Sequence, residues 1–99
     1  ESCGPVIGLQ KVSADGQAIP FMNSTEYALT AGVFCQDRQR AEVLLQQLDA
    51  GNVYQNCCDR VSPYLPWAGR KNSGLGATLG KAGILAFVKS KVSHFRTLT

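Results

Sequence analysis

The sequence predicts an α/β fold: a small three-layer parallel β-α-β-α-β unit, followed by a long loop, a short helix and an edge strand. Three observations support this prediction. Short apolar runs alternate with helical periods over residues 6–57, which is typical of crossovers in a parallel sheet. A stretch rich in glycine and proline then interrupts every period. The last residues alternate polar and apolar side chains, as strands do.

The first strand and helix are predicted from the N-terminal third of the chain. Residues 6–12 are mostly apolar and suit a strand that enters a buried sheet. Ser13 can cap a helix over residues 14–23. Pro20 removes one backbone donor inside that helix, so we expect a kink or a late helix start. Residues 32–35 are a short apolar run that indicates the second strand.

The clearest helix follows Asp37, which is a good N-cap residue. Arg38 and Glu42 are spaced to form an ion pair on its outer face. Its inner face is apolar at the helical spacing i, i+3, i+4 and i+7, formed by Ala41, Leu44, Leu45 and Leu48. Gly51 is placed to end the helix, and residues 52–57 predict the third strand.

The remaining elements are less regular. Residues 59–78 form a long loop, and such loops in small domains are usually functional or disordered. Residues 78–88 have a helical arrangement of apolar side chains, although Gly80 and Gly83 each cost that helix up to about 1 kcal/mol. Residues 92–98 predict a polar edge strand.

Size and charge exclude several functional classes. A chain of 99 residues with 44% hydrophobic residues predicts one domain. Its net charge of +3 is spread along the chain without a dense basic block, which argues against nucleic-acid binding. No apolar run approaches the roughly 20 residues that cross a bilayer, so we expect no membrane partner.

The thiols do not predict a metal or disulfide site. No Cys-x-x-Cys spacing occurs among the four cysteines, which are Cys3, Cys35, Cys57 and Cys58. Nothing indicates secretion, so reduced thiols in a cytoplasmic protein are expected. His94 is the single histidine and is interpreted as a surface residue. A small hydrolase that uses Cys57 or Cys58 remains a weak alternative.

The segment of residues 66–76 contains turn-forming residues, an aromatic and two cations, and ordering it is costly unless backbone must approach something closely. It resembles the Pro-Phe-Gly-Gly-x-Lys-x-Ser-Gly-x-Gly segment of the NAD(P)-dependent aldehyde dehydrogenases. Residues 1–6 are similar to that family's Glu-x-Phe-Gly-Pro-Val cofactor motif. Residues 23–34 are similar to its Asn-x-Thr-x-Tyr-Gly-Leu-x-Ala-x-Val segment. The resemblance runs from residue 1 to residue 95.

The resemblance implies roles for five residues. Glu1 corresponds to the carboxylate that accepts hydrogen bonds from the nicotinamide-ribose hydroxyls of NAD or NADP, and Cys3 stands where the family has a phenylalanine beside the cofactor. Asp59, Val61 and Trp67 correspond to positions that line the aldehyde entrance. Trp67 would supply a flat apolar wall.

The resemblance also implies that the chain is one part of a larger enzyme that oxidises an aldehyde to a carboxylic acid. Residues 1–88 correspond to the C-terminal portion of the catalytic domain, and residues 89–99 to the oligomerisation strand. Residues 92–98 would pair with a neighbouring subunit of a homo-oligomer. The family's cysteine nucleophile belongs to a motif upstream of Glu1, so the isolated chain is expected to be inactive. The alternative is a stand-alone remnant that acts as an interaction module. Arg60 could meet an acidic substrate, although a solvated loop arginine is the more ordinary interpretation.

Overall fold

Short strands and helices alternate along the chain, and a computed structural model describes residues 3–58 and 60–98. In chain order they form α1 (Asp15–Asn23), β1 (Tyr27–Ala28), β2 (Thr30–Val33), α2 (Arg38–Gln47), β3 (Asn52–Gln55), β4 (Arg70–Lys71) and α3 (Gly80–Leu85). An α/β fold is therefore confirmed. None of these helices is both long enough and apolar enough to cross a membrane.

The strands β2 and β3 form a parallel pair that is connected through α2. Thr30 faces Asn52 at one end of the pair and Val33 faces Gln55 at the other. Beyond the pair, the Asn56 side chain accepts from the Cys35 N–H at 2.8 Å and donates to the Cys35 carbonyl at 2.9 Å. The central part of the predicted β-α-β arrangement is thus present, with strands shorter than predicted.

The helix α2 begins as the sequence predicts. The Asp37 carboxylate accepts a hydrogen bond from the Arg40 N–H at 3.1 Å, which satisfies one of the donors that a helix N-terminus leaves free. Arg38 and Glu42 form the expected ion pair at 2.8 Å. Both side chains are largely exposed, so the pair contributes little to stability.

The apolar face of α2 packs inward, as predicted. Ala41 and Leu48 are buried, and Leu44 and Leu45 are half-buried. The predicted helix end is wrong, because α2 ends at Gln47 and Gly51 lies beyond its C-cap. Gly51 instead lies directly against the backbone of a distant segment.

Helix α1 has nearly the predicted bounds but is capped differently than expected. It begins at Asp15, so of the two expected effects of Pro20 the late helix start is wrong, and Pro20 lies inside the helix. The N-cap residue is Ala14, which makes no side-chain capping bond. The Ser13 N–H and hydroxyl instead donate to the Gln17 side-chain oxygen at 3.1 and 3.0 Å, so a side chain of α1 holds the preceding residue.

Two sets of side-chain contacts join α1 to α2 and to the residues that follow α2. Arg40 donates to both carboxylate oxygens of Asp15 at 2.6 and 2.7 Å, and this hydrogen bonding lowers the pKa of Asp15 below its usual value of 3.8. The Asn23 amide donates to the Gln47 carbonyl at 2.8 Å and accepts from the Asp49 N–H at 2.9 Å. The two helices are therefore tied near both ends of α1.

Both predicted terminal strands are absent from the described residues. Residues 6–12 and 92–98 belong to no strand, because no other described segment pairs with them. The parallel sheet therefore has two strands here and not the three predicted. Helix α3 is also shorter than the predicted helix over residues 78–88, since it starts after Leu79, which has a φ of +63°.

The chain leaves much of its apolar surface uncovered. Leu9 is 91% exposed and Phe95 is 89% exposed, and the buried hydrophobic residues are all in the centre of the chain. The radius of gyration is 19.3 Å, against roughly 13 Å for a compact domain of this length. The described residues near either terminus therefore do not pack into a hydrophobic core within this chain.

Candidate functional site

Residues 66–78, called the glycine loop below, form a hairpin that is closed at its base. The Trp67 N–H donates to the Thr78 carbonyl at 2.7 Å, and the Thr78 N–H donates to the Trp67 carbonyl at 2.9 Å. Strand β4 lies within this loop and pairs antiparallel with β1. The loop is thereby held against the centre of the fold, and Trp67 is fixed at its base.

The backbone of the glycine loop makes two very close approaches. A Cβ on Gly51 would overlap the carbonyl oxygen of Ala68 and lie 2.7 Å from its carbonyl carbon. A Cβ on Gly69 would lie 2.7 Å from the carbonyl of Ser73. The Asn52 amide also donates to the Ala68 carbonyl at 2.9 Å. Glycine is therefore required at residues 51 and 69, in agreement with the expectation that backbone of this segment approaches something closely, and here that neighbour is other backbone.

Side chains of the glycine loop bond to the chain around β1. The Ala28 N–H donates to the Ser73 hydroxyl oxygen at 2.9 Å. The Lys71 ammonium donates to the carbonyls of Asn23 and Thr25 at 2.7 and 3.0 Å. Carbonyls at the end of a helix have no hydrogen-bond partner within the helix, so Lys71 places a positive charge at the C-terminus of α1, whose own last turn has no basic residue.

A cleft of about 240 Å³ lies between β3 and the chain leading into the glycine loop. Its apolar wall includes Trp67, Tyr54 and Leu65, and its polar side includes Arg60 and Ser62. The Tyr54 hydroxyl donates to the Arg60 carbonyl at 3.4 Å. The described lining residues therefore combine aromatic surface, one cation and two hydroxyls, and apolar surface with a few polar groups is usual in small-molecule pockets.

The five site residues predicted from the sequence lie in different places relative to the cleft. Trp67 lines the cleft and is half-buried. Val61 is 58% exposed and does not contribute to the lining of this cleft. Cys3 is exposed in the N-terminal stretch. Glu1 and Asp59 lie outside the described residues, so their predicted roles stay predictions.

Sequence reasoning missed Ser62 and Tyr54 as cleft residues and interpreted Arg60 as solvated. Arg60 is exposed but lines the cleft together with Ser62, whereas Val61 between them does not. Side chains two residues apart in extended chain share a side. That spacing was visible in the sequence, but the side that faces the cleft was not.

The cysteines at the end of β3 and the single histidine lie in different parts of the structure. Cys57 is half-buried and Cys58 is exposed at the end of the strand region. His94 is exposed in the C-terminal stretch. Within residues 3–58 and 60–98, no three His, Cys, Asp or Glu side chains come together in a way that could hold a metal ion.

Comparison with known proteins identifies the family. A family model described as "Aldehyde dehydrogenase family" matches residues 1–93. The chain belongs to the aldehyde dehydrogenase family. The matched residues include the whole glycine loop and the described residues that line the cleft, so the candidate site lies within the recognised part of the chain.

Aldehyde dehydrogenases of plants are among the similar sequences. The chloroplastic betaine aldehyde dehydrogenase of Beta vulgaris is 36% identical over 92% of this chain. The peroxisomal aminoaldehyde dehydrogenase 2 of Malus domestica is 37% identical over 85% of it. The chain spans only 18% and 17% of the length of these two relatives.

Solved aldehyde dehydrogenase structures share the fold. The betaine aldehyde dehydrogenase of Staphylococcus aureus in complex with NAD+ matches with a TM-score of 0.86 and 33% identity. The match covers 89% of this chain and 18% of that enzyme's chain. The open arrangement described above is therefore the arrangement of a corresponding part of a larger aldehyde dehydrogenase.

Proposed function

We propose that the chain is the C-terminal portion of the catalytic domain of an NAD(P)-dependent aldehyde dehydrogenase, in residues 1–88, followed by the oligomerisation strand in residues 89–99. In the complete enzyme it supplies one wall of the aldehyde pocket and a contact to the cofactor ribose. The reactive cysteine belongs to another part of the polypeptide. The observation that carries this proposal is the cleft at the base of the glycine loop, where the loop's hydrogen bonds fix Trp67.

The exposed apolar surface supports the view that this chain works within a larger unit. Monomeric proteins rarely leave many large apolar side chains uncovered. Here such side chains are exposed along much of the chain, and they include Val6 and Ile7 near one end and Val92 and Phe95 near the other. Burying one such side chain is worth about 1.5–3 kcal/mol, so the rest of the enzyme and a neighbouring subunit have a strong reason to cover them.

Residues 92–98 are proposed to pair with the neighbouring subunit in a homo-oligomer. Their backbone lacks a strand partner within the described residues. An extended segment with unpaired N–H and C=O groups is suited to adding to another sheet edge. The compartment stays a prediction: the sequence predicts a cytoplasmic enzyme, whereas relatives have names that place them in the chloroplast and the peroxisome.

The described residues alone do not form a site for the dinucleotide. Glu1, the proposed ribose ligand, lies outside them, and Cys3 is exposed with no described partner that would orient it toward a nucleotide. We therefore assign only the ribose contact to Glu1 and a neighbouring position to Cys3. The rest of the NAD or NADP site belongs to other parts of the polypeptide.

The aldehyde-pocket role can be tested by replacing Trp67→Ala in the complete enzyme. Removing the indole takes apolar surface from the cleft, so the preference for long-chain over short-chain aldehydes should fall. A lost contact of about 1.4 kcal/mol corresponds to a ten-fold change in the ratio of kcat/KM values. NAD(P) affinity should change less than two-fold, as measured by fluorescence titration.

Tyr64→Ala is the matched control, because Tyr64 is an aromatic residue that lies near the glycine loop but does not contribute to this cleft. It should leave the chain-length preference unchanged. Trp67→Phe, which restores the residue usual in the family motif, should keep most of the preference. Unaltered preference in Trp67→Ala would contradict the pocket role.

A further inference from the structure

We propose that residues 89–99, called the docking segment below, recognise a carboxylate-bearing sheet edge on a neighbouring subunit through their positive charge. This inference deepens the proposed function and rests on it, because the proposed function is what pairs residues 92–98 with that subunit. It adds the chemistry of the partner surface, which is a second copy of the enzyme that presents carboxylates beside an apolar pocket.

The acidic residues, unlike the basic ones, are confined to one part of the chain. All seven acidic residues lie within residues 1–59, together with three of the ten Lys and Arg residues. Residues 60–99 contain the other seven Lys and Arg residues and no acidic residue. The docking segment contains three of those seven, at Lys89, Lys91 and Arg96, so all of its charged side chains are positive.

The charges of the docking segment are not neutralised within the part of the chain that the structure describes. Lys89, Lys91 and Arg96 are exposed, and none of the described ion pairs involves them. The side-chain carboxylates outside the described residues are Glu1 and Asp59. Two carboxylates cannot neutralise the five cations that follow Asp59 and have no described ion pair, so positive charge remains for a partner. These five are Arg60, Lys81, Lys89, Lys91 and Arg96.

The spacing of the docking segment brings charge and apolar surface to the same side. In an extended strand, side chains two residues apart share a side, so Lys89, Lys91 and Phe95 share one. Phe95 is 89% exposed, and Val92 on the other side is 90% exposed. Aromatic side chains are enriched in the centre of protein interfaces, whereas lysines are depleted there. We therefore assign Phe95 to the centre of the interface and the two lysines to its rim.

A second copy of the enzyme is the partner that these observations favour. The docking segment includes residues 92–98, which have no strand partner among the described residues, so backbone pairing and charge pairing would use one surface. The second copy also brings the opposite charge, since its residues 1–59 contain seven acidic residues against three basic ones. Among these acids, Glu26 and Asp37 are exposed and belong to no described ion pair.

The test measures self-association of the complete enzyme by fluorescence-detected sedimentation at about 0.1 and 1 M sodium chloride, where the Debye length is about 10 and 3 Å. The dissociation constant of the wild type should rise about ten-fold with salt. The rise should come mainly from slower association, because charges at the rim of an interface act on the association rate. In Lys89→Gln/Lys91→Gln, the dissociation constant at the lower salt concentration should already be about ten-fold higher, and salt should then raise it less than about two-fold.

Two variants serve as controls. Lys81→Gln removes an exposed lysine of α3, outside the docking segment, and should keep the association and the salt dependence of the wild type. Phe95→Ala removes apolar surface but no charge, so it should weaken association mainly through faster dissociation and keep the wild-type salt dependence. If the double lysine variant does not fold, Lys89→Gln and Lys91→Gln decide singly, each with an increase of about three-fold in the dissociation constant.

The outcomes separate this inference from the proposed function. A complete enzyme that stays monomeric, or that associates equally well in Phe95→Ala, would overturn the proposed pairing of residues 92–98. An enzyme that associates through Phe95, but whose dissociation constant depends neither on salt nor on the two lysines, would overturn the charge recognition alone.

Two further results would also overturn the charge recognition alone. Lysine substitutions that lower the unfolding midpoint of the subunit without weakening association would place the lysines in ion pairs within one subunit. Binding of the wild type to vesicles of phosphatidylcholine and phosphatidylserine, lost in Lys89→Gln/Lys91→Gln while self-association is unchanged, would assign the lysines to a membrane surface.

Discussion

The centre of this chain and its two terminal stretches differ in where their hydrogen-bond and packing partners lie. Between α1 and the glycine loop, backbone groups bond to backbone and side-chain groups, and the buried residues Ala28, Ala41, Leu48 and Ala50 all lie there. Residues 6–12 and 92–98 contain equally apolar side chains but no strand partner among the described residues. The centre is thus specified by contacts within the chain. We propose that the terminal stretches instead make their contacts with other parts of the enzyme.

The largest expected effect comes from Gly51→Ala, which would break the centre. Its new Cβ would overlap the Ala68 carbonyl, and backbone on either side cannot shift without breaking the bonds that hold the glycine loop. We expect a loss of about 3 kcal/mol, seen as a much lower thermal unfolding midpoint and lower soluble yield of the complete enzyme.

Gly8→Ala is the matched change in a terminal stretch. A Cβ at Gly8 meets no described atom within 4 Å, so within this chain it meets no obstacle, and its cost should be well below that of Gly51→Ala. Equal losses for both variants would show that the N-terminal stretch is covered as tightly in the complete enzyme as the centre is. The contrast between the two regions would then be limited to this chain on its own.

An intermediate effect is expected for Lys71→Met, which keeps the length of the side chain but removes its donors. The carbonyls of Asn23 and Thr25 lose their hydrogen bonds, at about 1–2 kcal/mol in total. The glycine loop should then detach more often from α1, and limited proteolysis within residues 66–78 should be faster.

Lys81→Met is the control for Lys71→Met, because Lys81 is exposed in α3 and lies outside residues 89–99, which are proposed to pair with a neighbouring subunit. It should change neither the unfolding midpoint nor the rate of cleavage in the glycine loop. If both variants were cleaved at the wild-type rate, the Lys71 contacts would not hold the loop in solution.

How far the sequence predicts the fold depends on whether the cause is local. The start of α2 was predictable because Asp37 and the Arg40 N–H that it caps are three residues apart. The end of α2 was wrong because Gly51 looks like a helix stop. Its actual reason is Ala68, a contact between distant parts of the chain that no local pattern reveals.

The terminal strands and the site follow the same rule. Alternation in residues 92–98 predicts a segment that can join a sheet, but a strand exists only where a partner is present. The motif resemblance drew attention to Trp67, which does line the cleft, but it could not show that Arg60 and Ser62 turn inward while Val61 turns away. Which side chains face the cleft depends on the contact between Tyr54 and the backbone of Arg60. No local sequence pattern reveals that contact.

The smallest expected effect concerns Asp15, where the centre meets the N-terminal stretch. Hydrogen bonds from Arg40 lower the pKa of Asp15 in the folded protein below 3.8, the value expected when unfolded. A lowered carboxyl pKa stabilises the fold at pH values above the unfolded pKa, and this contribution is lost as pH falls through the folded pKa. The stability advantage of wild type over Asp15→Asn, measured as the difference in thermal midpoint, should therefore be constant at neutral pH and shrink as the pH falls through 3.8 and below. Because both side chains are partly exposed, the difference should be small and should decrease in high salt.

Arg40→Gln should remove the same pH dependence. An advantage that persists unchanged into acid would show that the ionised Asp15 carboxylate, and with it the Arg40 pairing, is not the source of the advantage.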